Sequence, residues 1–330
     1  MRSVSERIDE FHVAYRYGKP EREWKEDFFF HKVETWPKFV KSTTVRSILS
    51  PLKQYRQIKN VDVDVIYTLS GFWPQEFSRY CSSRMSVPYV VRLRGDHRET
   101  RKQVVANALK RRLLNYLETK SLKKADMVIP ISMDLAEKAK RWGVEEDRIM
   151  APVPIGVDTL VFRPMSVVRD ERFTVAYAGR VSPEKRVPYL LKVAEELADV
   201  RFVIAGPLQM DVSFPDNVKY LGRVRFSEMP EFYNRADLIV LPSVTEGFPC
   251  VILEAYACGK PVLAAKEAFP KELEVFGSVV DISEFETEIK RLKSLDLKTV
   301  GEKARRYVEK HYTWEKFGRT IVRYLEDVIG

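Results

Sequence analysis

The chain has 330 residues, with 56 Lys and Arg against 47 Asp and Glu for a net charge of +9, and 45% of it is hydrophobic. That length predicts two domains with a real core, and the hydrophobic content excludes a disordered chain. Three widely spaced cysteines, Cys81, Cys250 and Cys258, argue against a disulfide framework or a cysteine zinc site, and no apolar run reaches the roughly 18–20 residues that span a bilayer.

The start of the chain lacks the apolar core of a signal peptide, so the expected setting is cytoplasmic. Asn and Gln total ten residues while 31% of the chain is charged, a bias expected of proteins from hot environments. Residues 1–164 carry 31 basic and 21 acidic side chains; residues 165–330 carry 25 and 26. The positive excess sits wholly in the first half, which points to an anionic partner.

In chain order, residues 11–15, 61–67, 89–93 and 127–130 read as strands, and 102–122 and 133–142 as helices. Residues 19–55 give no clear pattern. The stretch 153–164, with Pro154, Gly156 and Pro164, reads as an interdomain linker. Beyond it, strands at 173–178, 201–205, 218–221, 237–241 and 261–265 alternate with helices at 189–197, 226–236 and 249–258. Helices at 283–294, 297–311 and 314–329 close the chain. Short strands alternating with helices predict an α/β fold with a doubly wound parallel sheet.

Two stretches carry chemistry. Glu246-Gly247-Phe248-Pro249-Cys250-Val251-Ile252-Leu253-Glu254 places two carboxylates around a strand-to-helix turn, at the end of a strand where open α/β sheets bind ligands. Pro249 suits the first helical position, Gly247 lets backbone approach a ligand, and the first-turn amides suit a phosphate or sugar oxygen. Glu254 shares the face of Cys250 and Val251 in an apolar helix, so its carboxylate needs donors, which a ribose diol would supply. The bland alternative makes Glu246 a solvated dipole partner and pairs Glu254 with an arginine. The second stretch, Gly179-Arg180-Val181-Ser182-Pro183-Glu184-Lys185, sets two cations on a strand-to-helix loop, where they can clamp a diphosphate leaving group.

These stretches, with Ile204-Ala205-Gly206, Tyr220-Leu221-Gly222, 236–243 and Ala257-Cys258-Gly259-Lys260-Pro261, resemble the retaining glycosyltransferases of family four, the glycogen-synthase-like group. Residues 125–132, Gly156-Val157-Asp158 and Tyr312-Thr313-Trp314 extend the resemblance, which runs from about 86 to 328. It implies two facing Rossmann-like domains (the GT-B fold): an acceptor domain over 1–164, a nucleotide-sugar domain over 165–311, and a helix over 312–330 returning to the first. It implies that Glu254 holds the donor ribose and Glu246 the sugar hydroxyls, beside Gly247 and Phe248. Arg180 and Lys185 would stabilise the departing diphosphate without a metal or other cofactor. Gly179, Gly206 and Arg223 would lie near the donor, Arg223 and Gly206 by the base. The implied partners are a UDP- or GDP-sugar and a sugar or lipid-linked acceptor.

The first half departs from the family, having no Gly-Gly loop. Arg94 stands where a histidine is usual, and His97, three residues on, is the candidate to approach the donor sugar. Asp96 reads as a helix N-cap. Basic residues from Arg98 to Lys124 surround an apolar stripe of Val105, Leu109, Leu113 and Leu117. Either this stripe faces the core, or the segment docks on an anionic membrane surface at the inner face. Phe28, Phe29, Phe30, Trp36, Phe72 and Trp73 are candidates for an acceptor groove or for core. No nucleic-acid-binding motif occurs. The competing functions are a non-catalytic nucleotide-sugar-binding subunit and a sugar-nucleotide epimerase.

Overall fold

The computed structural model describes residues 11–15, 28–32, 51–52 and 54–330. Trp36 lies outside the described residues, as do the side chains of Phe28, Phe29, Phe30, Phe72 and Trp73. The chain divides into two compact units, residues 1–154 with 317–330, and residues 155–316.

In the first unit, β1 (Phe11–Tyr15) pairs in parallel with β2 (Phe28–Lys32). A second parallel sheet has the order β3-β4-β5, from Ile66–Leu69, Tyr89–Leu93 and Met127–Pro130. The expected strand at 61–67 is displaced: Asp62 and Asp64 lie before the ladder, and pairing starts with Ile66 against Tyr89. Helix α1 (Phe72–Met85), which the hydrophobic pattern did not reveal, follows β3 directly. The core beneath this sheet joins Val90, Met127, Ile129 and Val153 to Ile321, Val322 and Leu325 of the last helix.

The expected single basic helix is two. After α2 (His97–Val104), residues 105–107 break the helix, and Asn107 caps α3 (Ala108–Leu122) by accepting from Lys110 N at 2.9 Å. Leu114, Glu118, Ser121 and Leu122 form the buried face of α3. The stripe does not face the core, since Leu109 is 75% and Leu113 46% exposed. The rotation is set by Glu118, which pairs with the buried Arg101, while Arg101 also donates to Asn115 at 2.6 Å. A buried charge must keep its partner, whereas an exposed leucine costs little. Helix α4 (Met133–Arg141) is capped by Ser132.

The second unit has one six-stranded parallel sheet of order β11-β10-β9-β6-β7-β8. Its strands are β6 (Thr174–Ala178), β7 (Arg201–Ala205), β8 (Val218–Gly222), β9 (Leu238–Leu241), β10 (Val262–Ala265) and β11 (Gly277–Val280). Strands β6, β9 and β10 are buried throughout, as continuous apolar runs in a sheet covered on both faces require. The helices are α5 (Val187–Glu196), α6 (Met229–Arg235), α7 (Cys250–Ala257), α8 (Phe285–Lys293) and α9 (Leu297–His311). Helix α10 (Trp314–Ile329) leads into residues 317–330 of the first unit. Strand order reverses between β6 and β9, which opens a crevice at their carboxyl ends.

The loop that leaves β6 beside that crevice is packed on glycine. Gly206 has φ +141°, and a Cβ there would lie 1.8 Å from Gly179 O, so the loops after β6 and β7 touch backbone to backbone. Gly206→Ala should therefore lower unfolding free energy by about 3 kcal/mol or more. Gly222 has φ +67° but open space around it, so Gly222→Ala should cost only about 1–2 kcal/mol. Chemical denaturation of both variants measures the difference.

Candidate functional site

Both chemistry-bearing stretches emerge at the strand-order reversal, one from β6 and one from β9. After β6, the Tyr177 hydroxyl donates to Arg180 O at 2.8 Å and fixes the first turn of the loop. Burial, and then the nearby Glu246 carboxylate, hold the Tyr177 phenol above its usual range, so it stays a donor. A 3₁₀ turn at Pro183–Lys185 then brings Lys185 round to the second loop. Lys185 Nζ donates to Glu246 Oε1 at 2.5 Å, with side chains only 16% and 17% exposed. The backbones are tied as well, by Val244 N donating to Glu184 O at 3.0 Å.

Arg180 turns elsewhere. It donates to Gln209 Oε1 at 3.0 Å and pairs with Glu184 at 3.1 Å, and its side chain is 49% exposed. Arg186 adopts φ +50°, a left-handed conformation for a non-glycine residue, next to Lys185. Its guanidinium grips Glu267 at 3.1 and 3.4 Å, which holds the turn from the far side. Strain of this kind collects where a loop must present a functional group.

The second loop runs from β9 to α7. Gly247 is exposed, and Phe248 is 7% exposed with its ring 6.3 Å from Tyr312. Pro249 is the N-cap rather than the first helical residue, at φ −77° and ψ 109°. Its fixed φ suits the cap equally, and helical dihedrals begin at Cys250. Cys250 is exposed and Val251 half-buried on the first turn. Glu254 follows one turn later among the buried Ile252, Leu253, Ala255 and Tyr256.

Glu246 is thus ion-paired, not a solvated dipole partner. The partner of Glu254 is not an arginine: Glu254 Oε2 accepts from the Tyr233 hydroxyl at 2.6 Å. Nothing in the sequence pattern singled out Tyr233, because an aromatic on α6 reads simply as core. Burial raises the Glu254 carboxyl above its usual range, and the Tyr233 hydrogen bond opposes that rise. Arg223 is exposed just beyond Gly222, at the end of β8. Among the described residues no group of three or more His, Cys, Asp or Glu is placed to hold a metal ion.

His97 belongs to the first unit. It opens α2, and its Nε2 lies 3.3 Å from Ser70 Oγ and 3.2 Å from Ser70 O, on the loop after β3. Asp96 accepts from Arg98 N at 3.0 Å, as an N-cap does. A small cavity beside His97 is lined by Gln75, Arg98, Glu118 and Trp142.

Residues 172–294 match the family described as Glycosyl transferases group 1, and residues 8–155 match the Glycosyl transferase 4-like domain. The chain is 33% identical over 172 residues to a D-inositol 3-phosphate glycosyltransferase of Mycobacterium bovis, covering 45% of this chain and 35% of that protein. A Mycobacterium sp. protein of the same name is 32% identical over 161 residues, covering 42% and 36%. The match therefore spans about a third of the length of these relatives. Sucrose-phosphate synthase from Thermosynechococcus elongatus is similar in structure, with TM-score 0.75 and 18% identity over 96% of this chain and 88% of that one. Anabaena HepE, solved with UDP-glucose, gives TM-score 0.74 and 16% identity over 96% and 99%. These likenesses show the GT-B fold.

The raised Glu254 carboxyl gives a pH test. The folded chain keeps a proton that the unfolded chain releases near 4.5, so stability falls as pH rises from there through the raised folded value. Glu254→Gln removes that penalty and keeps an acceptor for Tyr233. The variant should melt at or above the parent at pH 7, with the difference shrinking toward pH 4 in a series of thermal unfolding curves.

Proposed function

The chain belongs to the family-four glycosyltransferases of the GT-B fold, and from this membership we propose that it moves a sugar from a nucleotide-diphosphate sugar to an acceptor with retention of configuration. The observation that carries the reading is the Lys185–Glu246 pair at the strand-order reversal. It sets a fixed cation beside a carboxylate, which is what a sugar diphosphate needs: charge for the phosphates and an acceptor for sugar hydroxyls. Arg180, half-exposed on the same loop, adds a second cation.

In this reading Glu254 accepts the ribose hydroxyls, and Glu246 orients the sugar. The bond between the anomeric carbon and the phosphate oxygen breaks as the acceptor oxygen bonds to the same face of that carbon. The leaving phosphate oxygen takes the acceptor's proton, while Lys185 and Arg180 stabilise the charge that develops there. The first unit, which contains His97, binds the acceptor. UDP-sugars are the first donors to test, because the structurally similar HepE was solved with UDP-glucose.

The acceptor we propose is a sugar or a lipid-linked glycan, met at an anionic membrane surface on the cytoplasmic side. What supports this is the exposed face of α3: Leu109, Leu113 and Tyr116 are 75%, 46% and 63% exposed, with Lys110, Arg112 and Lys120 exposed beside them. Such a face can bury apolar side chains among acyl chains while its cations meet lipid phosphates. Among the described residues no helix is long and apolar enough to cross a membrane.

A transfer assay and a vesicle-binding assay test the proposal. With UDP- and GDP-sugars and a panel of acceptors, nucleoside diphosphate should be released, and NMR should find the donor's anomeric configuration in the product. Lys185→Ala should lower kcat/KM by about 10²–10³. Nucleotide binding without turnover would instead favour a binding subunit. Vesicles containing phosphatidylglycerol should sediment the parent but not a Leu109→Ser, Leu113→Ser variant, and neutral vesicles should sediment neither; equal sedimentation of parent and variant would remove the surface from the account.

A further inference from the structure

A carboxylate that binds a ribose diol must present lone pairs in a fixed direction and must stay ionised. Glu254 sits where both are hard to secure. Its helix is apolar around it, and burial favours the protonated form. The structure places one group against this tendency. Tyr233 on α6 is 0% exposed, and its hydroxyl donates to Glu254 Oε2 at 2.6 Å.

The tyrosine ring has little freedom to turn away. Phe232 meets it edge to face, with centroids 5.4 Å apart and planes at 72°. Phe162, itself 2% exposed, packs on it at 6.1 Å and 60°. The phenol also keeps its proton, since burial and then the neighbouring Glu254 charge hold its pKa well above the usual range. Tyr233 is therefore a standing donor aimed at one of the two carboxylate oxygens.

We propose that Tyr233 is a positioning residue for nucleotide recognition: its buried hydroxyl fixes the Glu254 carboxylate, ionised and in one orientation, to receive the ribose hydroxyls of a nucleoside diphosphate. This rests on the reading that Glu254 binds the ribose. Tyr233 itself touches no substrate. Its loss weakens nucleotide binding and raises the donor KM, but leaves kcat nearly unchanged, because the ribose is remote from the reacting carbon.

A merely structural tyrosine would not affect the pH dependence. Nucleotide affinity falls with decreasing pH as Glu254 takes up a proton. Removing a hydrogen bond that favours the carboxylate moves that midpoint to higher pH. The other titratable groups around the pair are Cys250 on α7 and Cys258 at its C-cap, with Arg305 on α9 and Lys260 acting on Cys258. Burial pushes the Cys258 thiol up to about 12, so it stays neutral over the acid range.

The experiment titrates UDP and GDP, and their 2′-deoxy counterparts, into the parent, Tyr233→Phe, Glu254→Gln and Phe232→Leu between pH 5 and 8. Tyr233→Phe should bind the preferred ribonucleotide roughly tenfold more weakly at pH 7. It should discriminate less between ribose and deoxyribose, and its acid midpoint should lie higher than the parent's. Phe232→Leu loosens the same aromatic cluster but keeps the hydroxyl, and should leave the midpoint in place. Parent-like binding and midpoint in Tyr233→Phe, alongside weakened binding in Glu254→Gln, would overturn the proposal alone. Parent-like binding in Glu254→Gln, or no binding of either nucleotide to the parent, would overturn the ribose reading beneath it.

Discussion

The contact between Lys185 and Glu246 joins loops 61 residues apart in sequence, and it can form only because the sheet reverses its strand order between β6 and β9. Each loop follows a fully buried strand, so its starting point is fixed by core packing. Between those anchors the loops are tied by the Val244 to Glu184 backbone hydrogen bond and braced by Arg186 on Glu267. An ion pair this sheltered adds little net stability, because desolvation offsets most of the Coulomb gain. Its value lies in preorganisation. In the function we propose, the cation and the carboxylate are held in register before a ligand arrives, so little reorganisation is needed when charge develops on a diphosphate.

The first unit also depends on a buried charge, of a different kind. Arg92 in the middle of β4 is 2% exposed and donates to Pro130 O at 3.1 Å and to Val153 O. Its guanidinium lies 5.4 Å from the centre of the Phe317 ring. Burial lowers its pKa to about 10, which still leaves it charged near neutrality. Backbone carbonyls and an aromatic face together replace a carboxylate partner. The residue thereby binds the strand to the segment that leaves the unit at Val153 and to the helix that re-enters it at Phe317.

Much of the second unit was legible because its signals are local. Five of its six strands are short apolar runs, most ending near Gly or Pro, and the helices between them carry a clear period. Strand β11 was missed because Gly277-Ser278-Val279-Val280 is only half-buried and starts with glycine. In the first unit, α1 went unread because Ser78, Arg79, Ser82, Ser83 and Arg84 blur its apolar face. The break between α2 and α3 depends on a cap at Asn107 and a buried Arg101–Glu118 pair, and a count of leucines every fourth residue shows neither. The site was partly legible for the same reason. Motif spacing singles out Lys185, Glu246 and Glu254 as candidates, but the Tyr233 hydroxyl reaches Glu254 through a tertiary contact that no sequence period marks.

If Lys185 is a diphosphate-binding cation held ready by Glu246, a calorimetric double-mutant cycle on nucleoside diphosphate affinity will show it. Lys185→Met should weaken binding by about 10²-fold at low salt. Glu246→Gln should weaken binding of the diphosphate without its sugar far less than Lys185→Met does, because losing the brace on Lys185 is offset by losing the anion that competes for it. The double variant should then resemble Lys185→Met. Equal weakening in both single variants, or no change on losing Lys185, would show that Lys185 is not the diphosphate-binding cation.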